Sequence, residues 1–342
     1  MRGTVAANAE QGSPTLEMVG RLAGVSRATV SRVVNGSDRV APGAVAAVNA
    51  AIAELQYVPN RAARSLAGRR TNALALVMPE QTARVFADPF FSALIQGAMT
   101  HLAATEYTLT LLISSPAQAE KTRRFLLGGN VDGVLVVSHH SGDATFSGLR
   151  HRLPVVFAGR PLRDDDRDAP TVDVDNVGAA RLATEHLIAR GRTRIASVAG
   201  RQDMPAGIDR LRGFREAMTG AGLDPTLVAY GDFSPASGAD AMGTLLARGE
   251  PIDGVFAASD QMAAGVYAEL REHGLRVPED VAVVGFDDDY FARSAVPALT
   301  TVRQPNQELG QKMAEVLVRL VDGETVEPLT LMPTTLVVRQ SS

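Results

Sequence analysis

The strongest constraint on the fold of this chain is an internal repeat of short apolar segments, spaced 121 residues apart. VDGVLVVS at 131–138 recurs as IDGVFAAS at 252–259, and ALALVMP at 73–79 has a counterpart in RIASVAG at 194–200. The runs are apolar at nearly every position, which is typical of parallel strands covered on both faces. The repeat therefore predicts two similar α/β lobes in tandem.

Further runs of the same kind complete the predicted sheets. The predicted strands are 73–78, 108–113, 133–138, 154–159, 194–200, 254–259 and 281–286. Amphipathic segments at 92–105, 178–190, 209–221 and 261–273 would supply the helical crossovers that parallel strands need. Open sheets of this kind bind ligands outside the carboxyl ends of their strands, so we expect a ligand cleft between the lobes.

Composition excludes several classes of protein. The 342 residues include no cysteine, which rules out disulfide scaffolds, thiolate metal sites and cysteine nucleophiles. No apolar run approaches the roughly 18 residues that a membrane span requires, and the first residues contain no apolar signal segment. We therefore expect a cytoplasmic protein with no membrane partner.

The charge of the chain is unevenly distributed. Residues 1–70 contain nine arginines and four carboxylates, a net charge of +5. Because the whole chain carries −4, the remaining residues carry −9. A small basic segment on a large acidic body indicates a nucleic-acid-binding head.

Two short helices are predicted at the start of this basic segment. The first follows Thr15, and the second begins after Ser26, a good N-cap, with Gly24 in the turn between them. This spacing is typical of a helix-turn-helix unit, in which Arg27 and Arg32 could read guanines, and hydroxyl groups could donate to phosphates. An ordinary helical hairpin is the alternative, and the local positive charge favours the DNA-binding interpretation.

Several motifs in this order resemble the lactose/galactose-repressor (LacI/GalR) family. AGVSRATVSRVVN at 23–35 resembles the signature of its DNA-binding head, and LQYVPNRAARSL at 55–66 resembles its hinge signature. The body adds DRLRGF, SDQMAAG and VPEDVAVVGFDD, so the resemblance covers about residues 15–342.

The resemblance implies a small all-α helix-turn-helix head followed by an α/β body of two doubly wound parallel-sheet lobes, of the periplasmic-binding-protein type. We expect a disordered lead at 1–14, the head at 15–58, a hinge helix and linker at 59–71 and the body at 72–342. The first lobe would comprise about 72–170 plus 303–332, and the second about 171–302 plus 333–342.

The resemblance also implies DNA-binding residues in the head and hinge. They are Thr15, Ser26, Arg27, Ala28, Thr29, Ser31, Arg32, Asn35, Tyr57, Asn60, Arg61, Arg64 and Leu66. Leu66 matches the residue that family members wedge into the minor groove, where unstacking a base step bends the DNA and extends the contact. A core contact within the head is the alternative for Leu66.

Effector-binding residues are implied in the body. They are Phe91, Ser138, His139, Arg160, Arg210, Phe233, Asp260 and Asp287. Arg210 and Asp287 match the family's ligand-binding arginine and carboxylate, which can each hold two neighbouring hydroxyl groups. Phe90 is expected in the core, and Asp288 and Asp289 are expected as solvated loop charges.

The predicted function is a sequence-specific DNA-binding transcriptional regulator. We expect a homodimeric repressor on double-stranded, pseudo-palindromic operator DNA, released by a small-molecule effector between the lobes. A sugar or sugar derivative is favoured and a purine-like effector is possible, and the residues do not decide between induction and co-repression. The rival interpretations are a periplasmic solute-binding protein and a regulator that binds no ligand or senses a partner protein.

An enzyme is disfavoured, because no phosphate-binding glycine loop follows the first strand and no nucleophile elbow is present. The acidic run 287–289 and the His139–His140 pair lack the spacing of a known metal motif. We therefore expect no catalytic residues, no metal and no cofactor.

Overall fold

The structure is a computed structural model that describes residues 14–34, 37, 39–57, 70–143 and 145–342. The chain forms two compact units that divide between Thr71 and Asn72. The predicted lead and hinge lie almost wholly outside the described residues.

The first unit is a helical head. Helix α1 (Leu16–Ala23) and helix α2 (Arg27–Val34) are joined by a tight turn, and α3 (Pro42–Leu55) packs on α1 and α2. Gly24 ends α1 in the left-handed conformation, with φ of 68°, which a residue without a Cβ adopts at no steric cost. Ser26 accepts a hydrogen bond from the backbone N–H of Thr29 at 3.1 Å, which confirms the predicted N-cap of α2.

The second unit contains two six-stranded sheets, counted over the described residues. The first has the order β11-β5-β4-β3-β1-β2, and the second has the order β12-β10-β9-β8-β6-β7. The strands are β1 (Ala73–Met78), β2 (Thr108–Ile113), β3 (Gly133–Val136), β4 (Val155–Ala158), β5 (Thr171–Val174), β6 (Ile195–Ala199), β7 (Val228–Tyr230), β8 (Gly254–Ala257), β9 (Ala282–Asp287), β10 (Thr300–Arg303), β11 (Leu329–Met332) and β12 (Thr335–Val337).

The repeat in the sequence corresponds to the repeat in the fold. The segment pairs 73–79 with 194–200 and 131–138 with 252–259 contain β1 with β6 and β3 with β8, which occupy equivalent central places in the two sheets. All strand pairs are parallel except β10 with β12. The prediction of two doubly wound parallel-sheet lobes is confirmed, although β2 is a half-exposed edge strand rather than a covered one.

Helices cover both sheets. They are α4 (Thr82–Ala87), α5 (Pro89–Leu102), α6 (Ala119–Leu127), α7 (Asn176–Ala189), α8 (Pro205–Gly220), α9 (Pro235–Leu246), α10 (Asp260–Glu272), α11 (Tyr290–Ser294) and α12 (Asn306–Val321). Helix α12 packs on α5, where a Cβ at Gly310 would lie 2.0 Å from the Leu94 carbonyl oxygen. This close crossing requires glycine.

The boundary between the lobes differs from the expected one. We expected the first part of lobe 1 to end near residue 170, but β5 continues to Val174 within the first sheet. We did not predict β5 because it has only four residues and because Asp173 interrupts its apolar pattern. The chain therefore crosses between the lobes after β5, and again after β10 and after β11.

Candidate functional site: an inter-lobe cavity and an exposed recognition helix

A cavity lies between the two lobes, at the carboxyl ends of their strands. The first lobe lines it with Arg84, Asp88, Phe90, Phe91, Ser138, His139, Ala158, Gly159, Asp173 and Leu309, and the second with Asn176, Met204, Pro205, Ala206, Arg210, Phe233, Ser259, Asp287 and Gln304. Of the predicted effector residues, the structure thus brings together Phe91, Ser138, His139, Arg210, Phe233 and Asp287. The place matches the expectation for open parallel sheets.

Arg210 organises the floor of the cavity. This buried side chain projects from α8 and donates hydrogen bonds to Asn176 Oδ1 at 2.9 Å and to the Ala258 carbonyl oxygen at 2.7 Å. Its Nη1 lies 3.8 Å from Asp287 Oδ1, and its guanidinium carbon lies 3.6 Å from the ring centroid of Phe286. These contacts hold the guanidinium in place as a preorganised donor for a polar ligand.

Asp287 presents the principal carboxylate of the second lobe. It ends β9 with φ of 120°, a left-handed value that a non-glycine residue rarely adopts, and it accepts a hydrogen bond from Gln304 Nε2 at 2.6 Å. Burial raises the pKa of Asp287 to about 8, and the nearby Arg210 only partly opposes this effect. Ser138 and Phe233, with φ of 61° and 72°, also line the cavity in left-handed conformations. Such clustered strain is typical of ligand sites.

Two further carboxylates on the cavity wall were not predicted. Burial raises the pKa of Asp173 to about 6, and it also raises the pKa of Asp88, which accepts a hydrogen bond from the Phe90 N–H at 3.0 Å. Asp88 is the N-cap of α5 and was not singled out in the sequence. Asp173 was hidden in a strand that we did not predict.

Aromatic rings supply the apolar surface. Phe91 is buried and meets Phe90 edge to face at 5.3 Å, so both rings line the cavity. Phe90 packs against the core of the first lobe, as expected, and its ring also faces the cavity. Across the cleft, the ring of Phe233 packs so closely on Gly200 that a Cβ at this glycine would lie 2.1 Å from the ring. The guanidinium carbon of Arg84 lies 5.6 Å from the centroid of the same ring.

Ser138 and His139 are held by their own lobe. Ser138 donates a hydrogen bond to Glu80 at 2.7 Å, and His139 Nε2 lies 3.2 Å from the carbonyl oxygen of Gly159. Burial lowers the pKa of His139 to about 4, so the imidazole is neutral near pH 7 and donates through Nε2–H.

Two predicted effector residues do not line the cavity. Arg160 instead pairs with Asp209 through two hydrogen bonds of 2.9 Å. Asp260 is fully buried, where it accepts hydrogen bonds from the Thr301 hydroxyl at 2.6 Å and from the Asp289 N–H at 3.0 Å. A polar residue at a strand end can turn inward as easily as toward the cleft, and the effector-binding role of these two residues stays a prediction.

The acidic run after β9 is also not a set of solvated charges. Asp288 is buried and contacts Arg293, Arg303 and Arg339, so one carboxylate is shared by three guanidinium groups. Asp289 caps α11 by accepting a hydrogen bond from the Ala292 N–H at 3.2 Å. Over the residues that the structure describes, no cluster of metal-ligating side chains is present.

The exposed face of α2 is the second candidate site. Arg27, Ala28 and Arg32 are exposed and Ser31 is half-buried, at helical positions that share one face. Arg27 forms an ion pair of 3.1 Å with Glu17, and the hydroxyl of Thr29 lies 2.9 Å from that of Ser26. Thr15 caps α1 through a hydrogen bond of 3.3 Å from the Met18 N–H.

One predicted DNA contact is a core residue. Tyr57 is 7% exposed and packs with Val19, Val30, Val48 and Ala51 in the core of the head. Its ring supports α2 from within this core. Asn35, Asn60, Arg61, Arg64 and Leu66 lie outside the described residues.

Comparison with known proteins decides the family. Residues 15–60 match the model of "Bacterial regulatory proteins, lacI family", and residues 184–342 match that of a periplasmic binding protein-like domain. The regulator CelR of Thermobifida fusca is 48% identical over 333 residues, which cover 96% of this chain and 98% of that protein. The chain belongs to the LacI family of bacterial transcriptional regulators.

Other LacI-family members show the same match along the whole chain. The ribose operon repressor of Escherichia coli is 33% identical, over 96% of this chain and 99% of its own length. The solved complex of CelR with cellobiose has a TM-score of 0.76 at 46% identity, covering 96% of this chain and 100% of that chain. The Lac repressor dimer bound to operator and an anti-inducer has a TM-score of 0.83 at 29% identity, covering 96% and 99%.

Family membership establishes the general function. This LacI-family protein is a DNA-binding transcriptional regulator with an effector-binding body, and it is not an enzyme. In the described residues, none of the helices is both long and apolar enough to cross a bilayer.

Proposed function

We propose that this protein is a homodimeric repressor in the cytoplasm, released from a pseudo-palindromic operator by an uncharged saccharide bound between its lobes. The observation that carries the proposal is the inter-lobe cavity, in which Arg210 and Asp287 lie within 3.8 Å of each other beside the Gln304 amide. Fixed donors and acceptors of this kind match the neighbouring hydroxyl groups of a sugar.

The charges around the cavity favour an uncharged ligand. The carboxyl groups of Asp88, Asp173 and Asp287 line it, whereas the guanidinium of Arg84 lies 3.6 Å from Glu80 and that of Arg210 is already bonded to protein oxygens. Among the described lining residues, both guanidinium groups already have protein partners, so a phosphate group would place its charge beside three carboxyl groups with little to balance it. A neutral sugar can donate its hydroxyl groups to the same carboxylates.

The rings of the cavity favour a sugar with apolar faces. Phe90 and Phe91 come from one lobe and Phe233 from the other, so a ring between the lobes could contact aromatic carbons on both sides. Because the complex of the relative CelR contains cellobiose, we propose a β-linked glucose disaccharide as the first effector to test.

The exposed face of α2 is proposed to read the operator. Arg27, Ala28 and Arg32 would face base edges in the major groove, and Thr15, Ser26, Thr29 and Ser31 would donate to phosphates. The hinge residues Asn60, Arg61 and Arg64 would contact the backbone, and Leu66 would enter the minor groove. The −9 charge of the body should keep it away from the phosphates.

The experiment has two stages. First, operator sequences are selected from a random double-stranded DNA library by the full-length protein. Second, fluorescence anisotropy measures binding to the selected duplex with added cellobiose, ribose, glucose 6-phosphate or adenine. Release by cellobiose at a concentration where the other three have no effect supports the proposal. Release by the phosphate or the purine, or no selected sequence at all, contradicts it.

A further inference from the structure

Outside the cavity, a forked ion pair joins the two lobes. Arg160 follows β4 of the first lobe, and Asp209 lies on α8 of the second. Arg160 Nε and Nη2 donate to the two carboxylate oxygens of Asp209, each at 2.9 Å. Asp209 is 7% exposed, and neither residue lines the cavity. A bidentate pair fixes orientation as well as distance, so it holds the lobes in one relative position.

A second junction joins the lobes at another loop. His140, after β3, places Nδ1 3.1 Å from Asp203 Oδ2, and the Ser141 N–H donates to the Asp203 carbonyl oxygen at 2.8 Å. Arg201 braces the Asp203 carboxylate with hydrogen bonds of 2.9 and 2.7 Å. The other imidazole nitrogen faces Glu80 at 3.3 Å. Neither His140 nor Asp203 lines the cavity.

We propose that Arg160–Asp209 and His140–Asp203 form an inter-lobe latch, and that its four residues set effector affinity by positioning the lobes rather than by touching the ligand. In the latched orientation, side chains of both lobes line the same cavity, so a bound molecule can contact both at once. Opening the latch separates the cavity walls that the two lobes contribute and lets the ligand leave. The effector part of this inference rests on the proposed function, whereas the latch itself does not.

Amide hydrogen exchange tests the latch without any effector. In full-length Arg160→Gln and Arg160→Asp, exchange in segments 138–142 and 200–206 should be several-fold faster than in the wild type. The swapped variant R160D/D209R should bring it back toward the wild-type rate. Arg276→Asp is the matched control, because Arg276–Asp280 is a forked pair of 2.9 and 3.1 Å within the second lobe. Unchanged exchange in both Arg160 variants, or equal acceleration in the control, would overturn the latch.

Calorimetric titration with cellobiose then tests its consequence. Arg160→Gln should bind cellobiose about fivefold more weakly, as expected for the loss of one half-exposed ion pair, while R160D/D209R recovers most of the affinity and Arg276→Asp keeps all of it. If the wild type binds no cellobiose, the proposed effector is contradicted, and the exchange experiment still tests the latch independently. If cellobiose binds and exchange does not change, the latch alone fails.

Discussion

The guanidinium carbon of Arg210 lies 3.6 Å from the ring centroid of Phe286, and the same group donates to Asn176 and to the Ala258 carbonyl oxygen. Stacking and hydrogen bonding together use the planarity of the guanidinium, which a lysine ammonium lacks.

Arg210→Lys should therefore lose effector binding and keep operator binding. The loss of a charge-assisted donor costs about 1.5–3 kcal/mol, or roughly ten- to a hundredfold in affinity. Calorimetry with cellobiose and anisotropy with operator DNA measure the two functions. Arg212→Lys on the same helix is the control, because Arg212 is exposed and pairs with Glu216. Full cellobiose affinity in Arg210→Lys would contradict the assigned role.

Effector binding should release protons near neutral pH. Asp287, with a pKa of about 8, is largely protonated at pH 7, and Asp173, with a pKa of about 6, is partly so. Ligand hydroxyl groups that donate to a carboxyl favour its ionised form, so affinity should rise as pH increases from 6 to 8. Titrations at pH 7 in buffers of different ionisation enthalpy should give different heats. The difference should shrink in Asp287→Asn, and identical heats in the wild type would refute the linkage.

The neutral state of His139 should make stability depend on pH. Its pKa in the folded state is about 4, below the ordinary histidine pKa of 6.5, so only the unfolded chain binds a proton between these two values. The contribution of neutral His139 to the free energy of unfolding is therefore fully present above pH 6.5. It falls by about 3 kcal/mol as the pH drops to 4. Asp173, with its raised pKa, acts in the opposite direction, so the informative quantity is the difference between variants.

Urea unfolding of the wild type and His139→Gln measures that difference. The advantage of the wild type over His139→Gln should shrink as pH falls from 7 to 4. Replacing the exposed His151 by Gln should leave the wild-type profile unchanged. Parallel profiles for the wild type and His139→Gln would show that the buried imidazole does not carry the effect.

The crossing of α5 and α12 should tolerate no side chain. A Cβ at Gly310 would lie 2.0 Å from the Leu94 carbonyl oxygen, so Gly310→Ala must push the helices apart and should cost about 1–3 kcal/mol. At Gly220, near the end of α8, a Cβ would meet nothing within 4 Å, and Gly220→Ala should be neutral or slightly stabilising. Thermal unfolding separates the two, and equal melting temperatures would contradict the steric argument.

Arg32 should contribute to sequence preference. Arg32→Ala should weaken binding to the selected operator by about 1–3 kcal/mol and relax specificity, as expected for a guanine contact. The control is Arg39→Ala, an exposed arginine outside α2. An equal loss on operator and random DNA would mean that Arg32 contacts phosphates only.

The apolar pattern of the sequence predicted mainly the strands that are clearly buried in the fold. All seven predicted strands are present, because each is a run of mostly apolar residues; six of them lie in the interior, and β2 lies half-exposed at a sheet edge. Strands β5, β7, β10, β11 and β12 have three or four residues and include polar or exposed positions, so local pattern could not separate them from loops.

The site residues show a similar limit. Arg210 and Asp287 were predicted by resemblance and lie in the cavity, whereas Asp260, at an equally plausible strand end, turns inward to Thr301. The direction of a side chain depends on its neighbours in the folded protein, and a local sequence pattern does not identify those neighbours. Gln304 reaches the cavity only because the chain crosses between lobes just after β10, and no local signal marks that crossing.

The three crossings between the lobes have a consequence for biosynthesis. Strand β11 completes the first sheet and β12 completes the second, so neither lobe is whole until residues 329–337 have been translated. The head, by contrast, is contiguous and can fold while the ribosome is still making the body. A chain that stalls before residue 329 would therefore possess a DNA-reading module without a finished sensor.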